Sequence, residues 1–84
     1  MAETDSETVL DLRGLKCPLP VLFTRKALAA AEPGAVLLVQ CTDPLARLDI
    51  PNLVRETGDL FEGAEAGEGH VTLRLRRAGS AAGP

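Results

Sequence analysis

The pattern of hydrophobic and polar residues predicts four β-strands in this chain. Leu10 and Leu12 alternate with polar neighbours, and Val71, Leu73 and Leu75 do so over a longer run. A repeat of two residues is typical of a strand with one buried face. Residues 35–41 are almost wholly apolar, which is typical of a central strand that is at least partly covered on both faces. The predicted strands are residues 9–13, 35–41, 60–65 and 70–76.

The first of two predicted helices covers residues 18–31, where helix-forming residues dominate and apolar side chains recur at helical spacing. Pro18 and Pro20 fit only in a first turn, because the backbone N–H groups there have no partner within the helix. The helix is therefore predicted to begin just after Cys17.

The second predicted helix has two sequence signals for its start. Asp43 precedes Pro44 as a capping side chain, and Asp49 stands in the same way before Pro51. We predict a broken first turn, followed by a regular helix over about residues 50–57.

The element order β-α-β-α-β-β predicts an α/β fold. Strands joined by helices are expected to run parallel, and the last two strands, joined by a Gly-rich turn, to pair antiparallel. Two helices can cover one face of the resulting four-stranded mixed sheet, which gives a two-layer sandwich. The other face is expected to stay relatively open, with Val36 and Leu38 as a contact surface.

Length and composition narrow the class of protein. The 84 residues favour a single domain over 1–84, with a body at about 8–77, a flexible N-terminal arm (1–7) and a flexible C-terminal tail (78–84). A net charge of −3 and 2% aromatic residues disfavour direct tRNA binding by phosphate attraction or base stacking. Two cysteines, an acidic start without signal-peptide features and no long apolar run favour a cytoplasmic protein that does not enter a membrane.

Cys17 is the strongest candidate for chemistry. It follows a strand and a Gly-containing loop and directly precedes a proline-initiated helix. The positive end of that helix and the charge of Lys16 favour the thiolate and predict a depressed pKa for Cys17. The alternative is that Cys17 is a small buried hydrophobe, as most unpaired cysteines are.

The residues around Cys17 resemble the TusA/SirA-like sulfur-carrier family. Those that match its Gly-Leu-x-Cys-Pro-x-Pro signature are Gly14, Leu15, Cys17, Pro18 and Pro20. The similarity covers about residues 9–77. It implies the same two-layer fold and a cytoplasmic sulfurtransferase, a relay protein rather than a turnover enzyme, that accepts sulfane sulfur as a persulfide on Cys17.

The resemblance also implies partners. The donor is expected to be a cysteine desulfurase or a rhodanese-like protein. The acceptor is expected to be a downstream protein in tRNA thiolation, molybdenum-cofactor metabolism or sulfur oxidation. Leu19, between the two prolines, departs from the acidic residue that tRNA-thiolation members often carry, and Gly58-Asp59 departs from their Gly-His.

Persulfide exchange accounts for the residues around Cys17 and requires neither a metal nor an organic cofactor. A thiolate attacks the outer sulfur of the donor, so nucleophilicity and access are what the site must provide. Gly14, Lys16, Pro18 and Pro20 are the expected supporting residues. The prolines stiffen the approach, and the remaining N–H groups of the first helical turn are expected to stabilise an anionic persulfide.

Charged residues near the same sheet edge are candidates for partner docking, namely Arg13, Arg25, Asp43 and Asp49. The aspartates most simply cap helix starts, and the basic residues most simply form a solvated surface. Because loops after parallel strands share one sheet edge, these side chains are also placed to meet a partner docked on Cys17.

Other chemistries match less well. Pro20 stands three residues after Cys17, which excludes a Cys-x-x-Cys dithiol. Cys41 is predicted to be a strand-end core residue, with a resolving thiol as the alternative. A zinc site formed with His70 lacks paired short ligand spacings. The remaining function classes are a non-enzymatic binding or regulatory module with weak RNA or protein affinity, and a redox sensor that forms a disulfide between the two cysteines.

Overall fold

The structure is a computed structural model that describes residues 7–78. The elements are β1 Glu7–Leu12, α1 Leu19–Ala30, β2 Val36–Cys41, α2 Ala46–Thr57, β3 Leu60–Gly67 and β4 His70–Arg76. The strands form one sheet in the order β1-β2-β4-β3. This is the predicted α/β architecture, a mixed four-stranded sheet with two helices.

The last strand, β4, lies between β2 and β3 and is antiparallel to both. β1 and β2 pair in parallel, with Leu12 opposite Cys41 at their carboxyl ends. β3 therefore runs in the same direction as β2, as expected for strands joined by a helix, but its ladder partner is β4. The loops that follow β1 and β2 emerge together at one edge of the sheet.

The hydrophobic core lies between the helices and one face of the sheet. Alternate residues of β2 and β4 point into it, and α1 contributes Leu28 and α2 contributes Ile50 and Val54. Leu15, in the loop before α1, packs against the same cluster and anchors that loop. Both helices therefore cover the same sheet face, because each presents a single apolar stripe to it.

α2 begins at Ala46, about one turn before the predicted start at residue 50. Ala46 and Ile50 are one helical turn apart and both are buried, so core packing stabilises the early turn. The N-cap is Leu45 and not Asp43, so the prediction that Asp43 caps this helix is wrong. Asp43 shapes the preceding turn instead, by accepting a hydrogen bond from the Leu45 N–H at 3.1 Å. Pro51 lies inside the helix rather than at its start, and the prediction of a broken first turn is wrong.

Charged side chains lie on the second face of the sheet, beside Val36 and Leu38. Val36, predicted to lie on an open surface, is 0% exposed, and Leu38 is half-buried. Their neighbours on β4 are Arg76 and Arg74, whose aliphatic stems can cover apolar surface while the guanidinium groups stay in water. The expectation of an open contact surface is therefore wrong for Val36.

Three ion pairs hold these arginines over the sheet. Glu62 of β3 accepts hydrogen bonds from Arg74 Nε at 2.9 Å and from Arg76 Nε at 2.7 Å. Arg74 also reaches across β2 to Glu7 of β1, with Nη1 3.3 Å from Oε2. Sequence patterns could not reveal this cover because its members come from three strands.

The chain ends differ from the prediction where the structure describes them. Glu7 belongs to β1 and pairs with Val36, although it was assigned to the N-terminal arm. Ala78, assigned to the tail, donates its N–H to Asp59 at 2.9 Å. The rest of the predicted arm and tail, residues 1–6 and 79–84, lies outside the described residues. Within 7–78, neither helix combines the length and apolar character needed to cross a bilayer.

Candidate functional site around Cys17

Cys17 lies in the loop between β1 and α1, and its thiol is free and exposed. Gly14 turns this loop with a φ of 87°, in the left-handed region that glycine adopts without a Cβ clash. Its N–H donates to Thr42 Oγ1 at 2.9 Å, which ties the loop after β1 to the loop after β2. Thr42 was not predicted as a site residue, and its position directly after β2 is the signal that points to it.

α1 begins as the two prolines predict. Pro18 is the N-cap and Pro20 is the second helical residue. Pro20 is also buried, so it supports the loop by packing. The Leu19 N–H donates to the Lys16 carbonyl at 2.9 Å, and Pro20 has no N–H. The first two helical residues therefore offer no backbone donor to the sulfur.

Asp43 holds the backbone of Cys17. Its Oδ2 accepts a hydrogen bond from the Cys17 N–H at 2.6 Å, while Oδ1 accepts the bond from Leu45. A carboxylate that accepts two backbone N–H groups is strongly oriented, because such charge-assisted bonds are stronger than neutral ones. Asp43 therefore fixes the loop that presents the sulfur and shapes the entry to α2.

Asp49 faces the sulfur itself. It lies in the first turn of α2, and its Oδ2 is 3.8 Å from Cys17 Sγ, a distance at which the thiol donates a weak hydrogen bond. The prediction that Asp49 caps a helix start is wrong, because the helix begins three residues earlier. Sequence reasoning missed this contact because the two residues are 32 positions apart.

The surroundings raise the pKa of the Cys17 thiol, opposite to the predicted depression. Partial desolvation of the sulfur is the largest cause. The negative charge of Asp49, the hydrogen bond to Asp49 and the negative charge of Asp43 act in the same direction. A neighbouring anion disfavours a second negative charge, so the surroundings favour the neutral thiol over the thiolate.

Two surface grooves meet at Cys17. One, of about 530 Å³, runs between the loops after β1 and β2, and the other, of about 360 Å³, runs between α1 and α2. The first is lined by Gly14, Leu15, Lys16, Cys17, Thr42, Asp43, Pro44 and Leu45. The second is lined by Cys17, Pro18, Val21, Arg25, Asp49, Asn52, Leu53 and Glu56. The sulfur is thus reachable from two sides.

The predicted docking residues fall in different places. Asp43 lines the first groove, and Arg25 and Asp49 line the second. Arg25 pairs with Glu56 across that groove, with Nη2 3.5 Å from Oε1. Arg13 lines neither groove.

Arg13 is engaged by Asp11 instead. Arg13 Nε lies 2.8 Å from Oδ1 and Nη2 lies 2.9 Å from Oδ2. Hydrogen bonds from Arg13 to the carboxylate hold the pKa of Asp11 down at about 2.

Cys41 is 0% exposed and belongs to the core cluster, as expected for a strand-end core residue. Burial and, to a smaller extent, the negative charge of Asp43 raise its pKa. His70 is half-buried, with Nδ1 3.1 Å from the Glu68 carbonyl oxygen. Over residues 7–78 no three side chains of the His, Cys, Asp and Glu types are grouped to hold a metal ion.

Comparison with known proteins identifies the family. The protein-family model described as "Sulfurtransferase TusA" matches residues 8–77, so the chain belongs to that family. It is 44% identical over 68 residues to the sulfur carrier protein TusA of Allochromatium vinosum, covering 80% of this chain and 87% of the relative. A protein of Neisseria meningitidis serogroup A, provisionally named a sulfur carrier protein, is 46% identical over 69 residues, covering 82% and 92%.

A solved structure shows the same fold. The crystal structure of the SirA-like protein from Desulfitobacterium hafniense aligns with a TM-score of 0.74 at 26% identity. The alignment covers 84% of this chain and 97% of that protein. The β-α-β-α-β-β architecture predicted from the residues is therefore that of a TusA/SirA-like protein.

Proposed function

We propose that this protein is a sulfur carrier that accepts sulfane sulfur as a persulfide on Cys17 and passes it to a downstream acceptor. The observation that carries the proposal is the exposed free thiol of Cys17, placed where two grooves meet in a chain of the sulfurtransferase TusA family. Over the described residues, the second thiol is buried in the core and is not accessible to a donor.

The reaction is a pair of sulfur exchanges. Cys17 attacks the outer sulfur of the donor persulfide, and the acceptor later attacks the outer sulfur held on Cys17. Each step needs access to the sulfur, and the two open grooves favour that. Gly14, Lys16, Pro18 and Pro20 are proposed to support the site by shaping and stiffening the loop. The protein acts as a relay rather than as a turnover enzyme.

The proposed partners are proteins. The donor is a cysteine desulfurase or a rhodanese-like protein, and the acceptor belongs to tRNA thiolation, molybdenum-cofactor metabolism or sulfur oxidation. Arg13, Arg25, Asp43 and Asp49 are proposed to take part in docking. The −3 net charge disfavours direct tRNA binding. We place this activity in the cytoplasm and in a single domain that spans 1–84.

Intact-mass measurement tests the proposal. The protein is incubated with a cysteine desulfurase and cysteine, and its mass is measured before and after a thiol reductant. We expect a gain of one sulfur that the reductant removes, absent in Cys17→Ser and retained in the matched variant Cys41→Ser. Reductant reversal is essential because oxidation to a sulfinic acid adds almost the same mass.

A negative result in this experiment is followed up with other sulfur donors. If no sulfur is gained from this donor, the experiment is repeated with rhodanese and thiosulfate and with polysulfide. No reductant-labile gain from any of them would overturn the carrier role and favour the non-enzymatic binding module.

A further inference from the structure

Asp49 contacts the sulfur of Cys17 but does not hold the loop that carries it. Both oxygens of Asp43 accept backbone N–H groups, so Asp43 is occupied in holding the loop. Asp49 Oδ2, by contrast, lies 3.8 Å from Sγ on the wall of the groove between α1 and α2. A base acts only on a proton within hydrogen-bond reach, and such contacts shorten when substrate binds.

We propose that the Asp49 carboxylate takes the thiol proton of Cys17 during attack on a donor persulfide and returns a proton when Cys17 later leaves. This inference rests on the proposed function, because the donor and the acceptor are those of the sulfur relay. It adds a catalytic residue to the reaction, since Asp49 contacts the reacting atom.

The step balances without an added oxidant. In the attack on R–S–SH, a bond forms between Cys17 Sγ and the outer sulfur while the S–S bond of the donor breaks. The Cys17 proton moves to Asp49, and the departing RS⁻ takes that proton from Asp49 to become RSH, which restores the carboxylate. In the later discharge, the attacking acceptor thiol gives its proton to Asp49. Asp49 delivers this proton to the Cys17 sulfur as the bond from Cys17 to the outer sulfur breaks. The Cys17 sulfur is oxidised to the persulfide level as the inner donor sulfur is reduced to a thiol.

The charges around the sulfur explain why a base is needed. Asp43 from the loop after β2 and Asp49 from α2 both disfavour a thiolate. Arg25 of α1 is paired with Glu56 of α2, so the cation in this groove is compensated. Lys16 is the cation on the loop itself and is exposed. A thiol that rests neutral must lose its proton as it attacks, and a thiolate of raised pKa is a poor leaving group unless it is protonated as it departs.

The test compares two reactions of Cys17 in Asp49→Asn. The first is alkylation by iodoacetamide, followed against pH. Asp49→Asn removes a negative charge beside the sulfur, so the pKa of Cys17 should fall. For each pH unit by which this pKa falls, alkylation at pH 7 should accelerate about threefold, because the gain in thiolate is partly offset by a lower nucleophilicity of that thiolate. The second is sulfur uptake from glutathione persulfide, a small donor that needs no protein docking.

For sulfur uptake we expect the opposite direction, a loss of at least about tenfold in rate, because Asn accepts no proton. Asp49→Glu restores part of the rate by returning a carboxylate. The matched control is Glu65→Gln, which removes an exposed carboxylate of β3 that lines neither groove at Cys17; it keeps the wild-type rate. Thermal unfolding confirms that each variant is folded.

The outcomes separate the two proposals. If Asp49→Asn takes up sulfur as fast as the wild type or faster, Asp49 only repels the thiolate and the inference is wrong. If the wild type takes up no sulfur at all, the relay fails and the inference fails with it. The alkylation profile still reports the contact between Cys17 and Asp49 in that case.

Discussion

Cys17 and Cys41 are the same side chain in two different surroundings. Cys41 ends β2 and is 0% exposed among core residues, whereas Cys17 is exposed in the loop before α1. The surroundings raise both pKa values, by burial first and then by nearby carboxylates. Since acidity is shifted in the same direction at both sites, access to the sulfur is what distinguishes them.

The largest expected difference is in alkylation of the native protein. Iodoacetamide should modify Cys17 at least about 1,000-fold faster than Cys41, because Cys41 reacts only when the core opens and opening costs several kcal/mol. Peptide mapping by mass spectrometry measures both rates. In denaturant the two rates should converge, and similar rates in the native protein would contradict the burial of Cys41.

The stability of the protein should depend more on Cys41 than on Cys17. Cys41→Ser is expected to lower the free energy of unfolding by about 1–3 kcal/mol, since it buries a hydroxyl group among apolar side chains. Cys17→Ser should change it by less than about 0.5 kcal/mol, as surface substitutions do. Urea unfolding measures both, and Cys41→Ala separates the effect of polarity from that of volume. A larger loss in Cys17→Ser would show that the loop contributes to the core.

Asp43 links the two thiols, because its negative charge raises the pKa of both. Asp43→Asn should lower the free energy of unfolding by about 1 kcal/mol, since the 2.6 Å bond from the Cys17 N–H loses its charge assistance. The alkylation profile of Cys17 should also move to lower pH, by less than in Asp49→Asn. Asp11→Asn, which removes a carboxylate paired with Arg13, is the control and should leave that profile in place.

The smallest expected effect is on stability at alkaline pH. Both folded pKa values are raised, so the native state keeps its thiol protons at a pH where the unfolded chain releases them. The thiols therefore stabilise the fold below the unfolded pKa, and this contribution is lost as pH rises towards the folded value. Unfolding free energies between about pH 7 and 10 should fall less steeply in Cys41→Ala than in the wild type. An unchanged slope would mean that the buried thiol is not held neutral.

Local patterns predicted most of the fold because they report on neighbours along the chain. The strand predicted at residues 70–76 matches β4 at both ends, since its alternation is strict and one face is buried. The prolines predicted where α1 begins because they restrict only their own first turn. At α2 the helix start predicted from Pro51 was wrong, because burial of Ala46 and Ile50 stabilises an earlier first turn.

The charge environment of the candidate site was not predictable in this way. The helix end and Lys16 lie next to Cys17 in sequence and indicated a depressed pKa. Desolvation of the sulfur raises the pKa most, and the two carboxylates that act in the same direction lie 26 and 32 positions away. Electrostatic effects depend on distance in space, so they become visible only when the loop after β2 and the first turn of α2 are placed beside the sulfur.

The sequence by itself determined the order of the elements, the two-layer architecture and the position of Cys17 before a proline-initiated helix, because periodicity and proline geometry act over a few residues. The tertiary structure alone decided that β4 lies between β2 and β3, that Val36 is buried, and that Asp43 holds the loop while Asp49 faces the sulfur. Each of these depends on contacts between segments that are distant in sequence, and such contacts form only when the core brings the segments together.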